Sequence, residues 1–77
     1  MNKERRKEID EIIDQLGMLK EQIERISEEE QEAYDNLPES IQYSERGEAM
    51  VEHVTDLDDA ASSIDDVMST LQDIIDR

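Results

Sequence analysis

The fold is decided by residues 35–48, which read DNLPESIQYSERGE. This stretch holds Pro38, the only proline of the chain, and Gly47, one of its two glycines. Proline lacks the backbone N–H that a helix interior requires, although it is well suited to a first helical turn. Because a long segment with heptad spacing lies on each side, the stretch predicts that two helices meet here and that the chain reverses direction.

The segment before the turn predicts a helix over about residues 2–35, with Asn2 as its N-cap. Its apolar positions alternate in steps of three and four residues, which is typical of a coiled-coil seam. We expect the ion pairs Lys20–Glu24 and Glu21–Arg25 to support this helix. The predicted seam, interrupted once by a glutamate, consists of Ile9, Ile12, Leu16, Leu19, Ile23, Ile26, Glu30 and Ala33.

The segment after the turn predicts a helix over about residues 44–76, with an unbroken seam. A short helical turn or bend is expected over residues 38–42, within a turn of about residues 36–43. Ser40 and Ser44 are both candidates for the N-cap of the long helix. The second seam consists of Gly47, Met50, Val54, Leu57, Ala61, Ile64, Met68, Leu71 and Ile75.

The two seams match as an all-α antiparallel hairpin, which makes residues 1–77 a single domain. In the predicted register Ile23 faces Leu57, and the small residues Ala33 and Gly47 meet near the tip. By the same register Ile26 faces Val54, Leu19 faces Ala61, Leu16 faces Ile64 and Ile12 faces Met68.

Further apolar residues flank the seams, and a single hairpin would leave them in water. Self-association, most simply a dimer that forms a four-helix bundle, would cover them. The alternative is a marginally stable monomer. The flanking residues are Ile13, Val51, Val67 and Ile74.

The chain is strongly acidic, with 23 Asp and Glu against 8 Lys and Arg and a formal net charge of −15. This balance disfavours direct binding to nucleic acid or to an anionic membrane, and it favours a partner with a basic surface. A solvated acidic coat or salt adaptation is the simpler interpretation. No cysteine and no long apolar run are present, so we expect no disulfide and no membrane span, and a cytoplasmic location.

Enzymatic interpretations find little support in the sequence, and we expect no catalytic residue, no cofactor and no metal. A di-iron bundle site needs Glu-x-x-His pairs, whereas His53 is the only histidine and has no Glu three residues before it. The acidic pairs Glu29–Glu32 and Asp56–Asp59 vaguely resemble the magnesium-binding acids of all-helical nucleotide pyrophosphatases. Such pairs arise by chance in so acidic a chain, and no basic residues accompany them to hold phosphates.

An acidic surface on the second helix is the first candidate interaction site. Helices of about 30 residues are about 45 Å long. The 23 acidic residues over that length give roughly one charge per 2 Å, close to the ~1.7 Å per charge of duplex DNA. Such a surface would mimic nucleic acid in a basic groove. Its residues are Glu48, Glu52, Asp56, Asp59 and Asp66.

The tip of the hairpin is the second candidate site. Tyrosine and arginine are favoured anchors in protein interfaces, and one Arg46 from each copy of an oligomer could bind an anionic nucleotide. The alternative is that the apolar tip residues only plug the end of the core while Arg46 pairs with a nearby acid. The tip residues are Tyr34, Leu37, Ile41, Tyr43 and Arg46.

Residues 36–40 (NLPES) and 44–48 (SERGE) resemble small acidic helical proteins of bacteriophages and prophages whose role is unassigned. The resemblance implies a phage accessory protein that acts in the host cytoplasm by binding and blocking a host protein. Many such proteins act on the host by binding, and they include inhibitors of CRISPR, restriction or signalling-based immunity. A fainter likeness is to phage helical sponges for cyclic oligonucleotides, whose second helix also follows a proline. A structural or regulatory coiled-coil module is the remaining alternative.

Overall fold

The computed structural model describes all 77 residues and contains helices and no strands. It contains α1 (Lys3–Asp35), α2 (Glu39–Gln42) and α3 (Glu45–Asp76). The helices α1 and α3 lie side by side and antiparallel, since Lys20 contacts Asp65 while Ser27 contacts Asp58. The predicted helical hairpin is therefore confirmed. It is a rod of 59 × 15 × 12 Å.

Side-chain caps mark where both long helices begin. The Oδ1 atom of Asn2 accepts a hydrogen bond from the backbone N–H of Arg5 at 2.8 Å. The Oγ atom of Ser44 accepts one from the backbone N–H of Gly47 at 3.4 Å. Each cap satisfies an amide that has no partner within the first helical turn. Of the two serines considered for α3, Ser44 is the cap.

The reversal between α1 and α3 is held by hydrogen bonds within the tip. The Nε2 atom of Gln42 donates to the carbonyl oxygens of Tyr34 at 3.0 Å and of Asp35 at 3.5 Å. The Tyr34 carbonyl also accepts from the backbone N–H of Leu37 at 3.0 Å, so Gln42 adds a second bond that ties α2 to the end of α1. The amides of Ile41 and Gln42 donate to the carbonyl oxygen of Pro38 at 2.8 and 3.0 Å, so the proline starts α2.

Gly47 is required by the tip, because it lies against the backbone of α2. A Cβ atom built on Gly47 would be 2.1 Å from the carbonyl oxygen of Gln42 and 2.7 Å from that of Ile41. Carbonyl oxygens held in a helical turn cannot move aside as a flexible side chain would. The expectation that Gly47 meets Ala33 is wrong, since Ala33 is exposed.

The predicted seam of α3 is confirmed. Met50 and Ala61 are buried, as is Gly47. The other members of the seam are half-buried along the side of α3 that faces α1, and they are Val54, Leu57, Ile64, Met68, Leu71 and Ile75.

Half of the predicted seam of α1 is wrong. Ile12, Leu19 and Ile26 remain 44%, 49% and 48% exposed. The half-buried members are Ile9, Leu16, Ile23 and Glu30. The positions that replace the exposed ones lie one residue later in the chain and are Ile13, Lys20, Ser27 and Tyr34. The helix α1 is thus turned about its own axis relative to the predicted packing.

Polar contacts accompany this rotation on one side of the hairpin. The Oγ atom of Ser27 donates to Oδ1 of Asp58 at 2.6 Å, and Nζ of Lys20 lies 2.8 Å from Oδ2 of Asp65. The hydrogen bond to Asp65 raises the pKa of Lys20 above its ordinary value of 10.5, against an opposing effect of partial desolvation. We call the side that carries these two contacts the bridged face.

Of the two expected ion pairs within α1, one is formed. Nζ of Lys20 lies 3.7 Å from Oε1 of Glu24, as predicted. The expected pair between Glu21 and Arg25 is not formed, since Lys20 and His53 are the only basic residues within 4.0 Å of a carboxylate. No helix has the length and apolar character needed to cross a membrane.

Candidate interaction surfaces

The five predicted acidic positions of α3 are all exposed to solvent. Glu52, Asp59 and Asp66 are seven residues apart, and Asp73 continues the series. A seven-residue spacing returns nearly to the same side of a helix, so these side chains form one line. That line lies on the side of α3 that points away from α1, while Glu48 and Asp56 flank it.

Most of the acidic side chains have no basic neighbour. The ion pairs within 4.0 Å involve only three carboxylates, those of Glu24, Asp65 and Glu30. The third is paired with His53 and is an ion pair only when that imidazole is protonated. The outer line of α3 is therefore free to meet positive charge from another molecule.

The density of acidic residues is lower than the sequence predicted. Dividing the 59 Å length of the rod by its 23 acidic residues gives about 2.6 Å per acidic residue, compared with ~1.7 Å per charge in duplex DNA. The predicted value assumed a shorter rod. The hairpin consequently reaches about two thirds of the charge density of DNA before its basic residues are considered.

The structure divides the predicted tip cluster into two parts. Tyr34, Leu37 and Ile41 are half-buried where the hairpin closes. Tyr43 is 76% exposed, and Arg46 is exposed without an ion pair to any carboxylate. The plug interpretation thus fits the first three residues, whereas Tyr43 and Arg46 project from the tip.

A shallow groove of about 530 Å³ lies between the helices near the tip. Its apolar wall is formed by Ile26 and Leu57, and its polar residues are Glu29, Glu30, His53 and Asp56. Nδ1 of His53 lies 3.1 Å from Oε2 of Glu30, so the histidine joins the two helices. From the sequence, His53 was considered only as a possible metal ligand, and this contact was not predicted. No group of three or more His, Cys, Asp or Glu side chains is arranged to hold a metal ion.

Opposite the bridged face lies a surface that sequence reasoning missed, which we call the uncharged face. Ile26 and His53 border the groove on this side, and the seven-residue spacing places Leu19, Ile12, Ala60 and Val67 along the same side. Its apolar members are Ile12, Leu19, Ile26, Ala60, Val67 and Ile74, and its polar members are Gln15, Gln22, Ser63 and Thr70. In the sequence, the signal for this face was the pair of apolar residues Val67 and Ile74 beside the seam of α3.

No family model, curated protein or solved structure matches this chain. Three of its surfaces are available to other molecules. They are an outer acidic line, a projecting Tyr43 and Arg46, and an uncharged face along the middle of one side of the rod.

Proposed function

We propose that this chain is a non-enzymatic accessory protein of phage type that binds and blocks a basic host protein through the acidic surface of α3. The target class is a nucleic-acid-handling or immune-defence protein in the host cytoplasm. The observation that carries the proposal is the exposed line Glu52, Asp59 and Asp66, in which no carboxylate is paired with a base.

The physical basis is electrostatic attraction across water. A row of like charges focuses a field that speeds association with an oppositely charged surface and makes binding depend steeply on salt. With acidic residues spaced at about two thirds of the density of DNA, the rod competes for basic grooves without reproducing the form of a duplex.

We further propose that the active form is a homodimer or a larger homo-oligomer. The accessible surface of the single chain is 5846 Å², whereas a compact monomer of 9.0 kDa has about 4,900 Å². The excess of about 1,000 Å² is similar to the ~800 Å² that each partner buries in a stable interface. The half-exposed side chains of Ile12, Leu19 and Ile26 on α1 supply apolar area for such an interface.

The acidic-surface proposal is tested by affinity capture from a bacterial lysate, followed by salt and competitor titrations of the captured complex. The bait variant Glu52→Gln/Asp59→Asn/Asp66→Asn should lose the partner. We expect duplex DNA to displace the wild-type protein, and we expect the dissociation constant to rise steeply with salt.

The matched control is Glu11→Gln/Asp14→Asn/Glu21→Gln, which removes the same charge from exposed positions of α1. It should retain most of the binding. Equal loss in both variants would show that net charge, and not the α3 surface, is responsible. A complex that persists unchanged into high salt would overturn the proposal.

The second candidate function is a sponge for an anionic nucleotide signal, favoured by the unpaired and exposed Arg46 beside Tyr43. A cyclic dinucleotide or cyclic oligonucleotide would then raise the melting temperature, and Arg46→Ala would abolish that shift. A panel of such nucleotides that produces no shift in the wild-type protein would exclude this function.

A further inference from the structure

The uncharged face stands out because its middle carries no charged residue, although Glu29, Glu30 and Asp56 lie in the groove at its tip end. Between Ile12 and Ile26 its α1 positions are Gln15, Leu19 and Gln22. Across from them on α3 lie Ala60, Ser63, Val67 and Thr70, again without a charge. In a chain in which 40% of residues are charged, such a gap along the middle of the rod is a distinct feature.

The bridged face shows the contrast. On the bridged face, the α3 side is formed by Val51, Asp58 and Asp65, which are seven residues apart. Two of these three residues are acids, and they are bonded to Ser27 and Lys20 of the same chain. Docking another molecule on that side would require removing these carboxylates from water, and this desolvation opposes association.

A second copy of this chain is the occupant that fits the uncharged face. A host protein with a basic surface is drawn to the acidic sides and gains nothing from a neutral stripe. Another hairpin presents the same apolar side chains at the same spacing, and an isologous pairing of two such stripes closes a four-helix bundle. The excess surface of the single chain is of the size that such a pairing buries.

The distribution of basic residues selects the orientation of the second copy. The outermost turns at the end that carries both chain termini, which we call the basic end, contain only the acids Glu4 and Asp76. They hold five of the eight Lys and Arg residues, namely Lys3, Arg5, Arg6, Lys7 and Arg77. The acidic run Glu28, Glu29, Glu30 and Glu32 lies toward the tip. Two copies with their tips together would bring basic end against basic end and acidic run against acidic run.

Two copies with their tips apart would place opposite charges together. Leu19 lies midway between Arg5 and Ala33 in the sequence, so a two-fold axis near Leu19 brings the basic end of one copy beside the acidic run of the other. Resting on the proposed self-association, we infer that two copies pair through the uncharged face with their tips at opposite ends of the bundle.

The face is tested with two valines of α3 that have nearly equal exposure. Val67 is 50% exposed on the uncharged face, and Val51 is 45% exposed on the bridged face. In sedimentation equilibrium the wild-type protein and Val51→Glu should be dimers, whereas Val67→Glu should be a monomer. Loss of helicity that accompanies dissociation in Val67→Glu alone also supports the inference, because the hairpin then depends on that face.

The orientation is tested by distances between spin labels, and the chain contains no cysteine that would interfere. Labels on Glu39→Cys, at the tip, should be about 50 Å or more apart, since each tip lies some 20 residues of helix from the axis. Labels on Met18→Cys, near the midpoint, give a short distance in either orientation and serve as the control. Tip labels within about 30 Å would overturn the antiparallel arrangement.

The outcomes separate the inference from the proposed function. A wild-type protein that is monomeric at all concentrations overturns the self-association together with this inference, while the acidic-surface proposal is judged by its own capture experiment. A dimer that persists in Val67→Glu overturns the assignment of the face alone.

Discussion

Gly17 and Gly47 share the absence of a side chain but differ in their surroundings. A Cβ atom on Gly17 would lie 3.5 Å from Cε of Met68, which is an ordinary van der Waals contact with a flexible side chain. A Cβ atom on Gly47 would lie within 3 Å of three backbone atoms of α2. Only the second glycine is therefore demanded by the packing of this chain, whereas the first costs helix stability without that compensation.

We expect Gly17→Ala to raise the free energy of unfolding by about 1 kcal/mol, because alanine favours the helix. We expect Gly47→Ala to lower it by about 1–3 kcal/mol, because the tip must open to admit the methyl group. Urea unfolding followed by circular dichroism measures both. Equal effects of the two substitutions would show that the tip does not depend on Gly47.

Lys20 provides a pH prediction at the same scale. Its folded pKa is raised above 10.5, chiefly by the hydrogen bond to Asp65, so its contribution is present below pH 10.5. The contribution is lost as the pH rises through the folded pKa. The difference in free energy of unfolding between the wild-type protein and Lys20→Gln should stay constant from neutral pH to pH 10.5 and become smaller above pH 10.5.

The control is Lys20→Arg, whose guanidinium stays charged across that range and should show no such alkaline loss. Chemical unfolding at a series of pH values measures the three proteins. A difference between wild type and Lys20→Gln that widens above pH 10.5 would contradict the sign.

At the scale of the elements, α1 carries two overlapping stripes. Ile9, Leu16 and Ile23 belong to both stripes. One stripe is completed by Ile12, Leu19 and Ile26, and the other by the residues one position later in the chain. The structure uses the later set, which contains Lys20 and Ser27. The more apolar set is left on the surface, where it forms the α1 side of the uncharged face.

The pairing of α1 with α3 depends on Leu57, which is half-buried and borders the groove with Ile26. We expect Leu57→Asp to lower the free energy of unfolding by about 2 kcal/mol or more, because a carboxylate at this position is poorly solvated. Thr55→Asp adds the same charge at an exposed position of α3 and should change the free energy of unfolding by about 0.5 kcal/mol or less. A folded Leu57→Asp protein with wild-type helicity and melting temperature would contradict the seam.

At the scale of the whole molecule, repulsion between carboxylates opposes folding. The 23 acidic residues lie on a rod only 15 Å wide, and few of them have a basic neighbour. The Lys20–Asp65 pair acts in the opposite direction, but solvent and salt screen exposed pairs of this kind, so it contributes little. The repulsion therefore decides the sign of the salt effect.

We expect the melting temperature to rise by several degrees between about 0.1 M and 1 M NaCl, as the Debye length shortens from ~10 Å to ~3 Å. Moderately acidic pH should act in the same direction because it neutralises carboxylates. The rise should be smaller in Glu52→Gln/Asp59→Asn/Asp66→Asn, which lacks the outer acidic line. A melting temperature that is independent of salt and pH would refute the role given to repulsion.

The sequence by itself determined the two long helices, the reversal at Pro38 and the side of α3 that is buried. Each of these follows from local signals, namely heptad spacing, a proline without an N–H and a serine cap. Only the tertiary structure decided which side of α1 meets α3, that Gly47 packs on the backbone of α2, and that the middle of one side of the rod is left uncharged. A periodic apolar stripe shows that a helix packs against a partner. Two stripes that share half of their residues do not show on which flank of the helix the partner lies. In the structure it lies on the flank where Asp58 and Asp65 of α3 bond Ser27 and Lys20 across the seam.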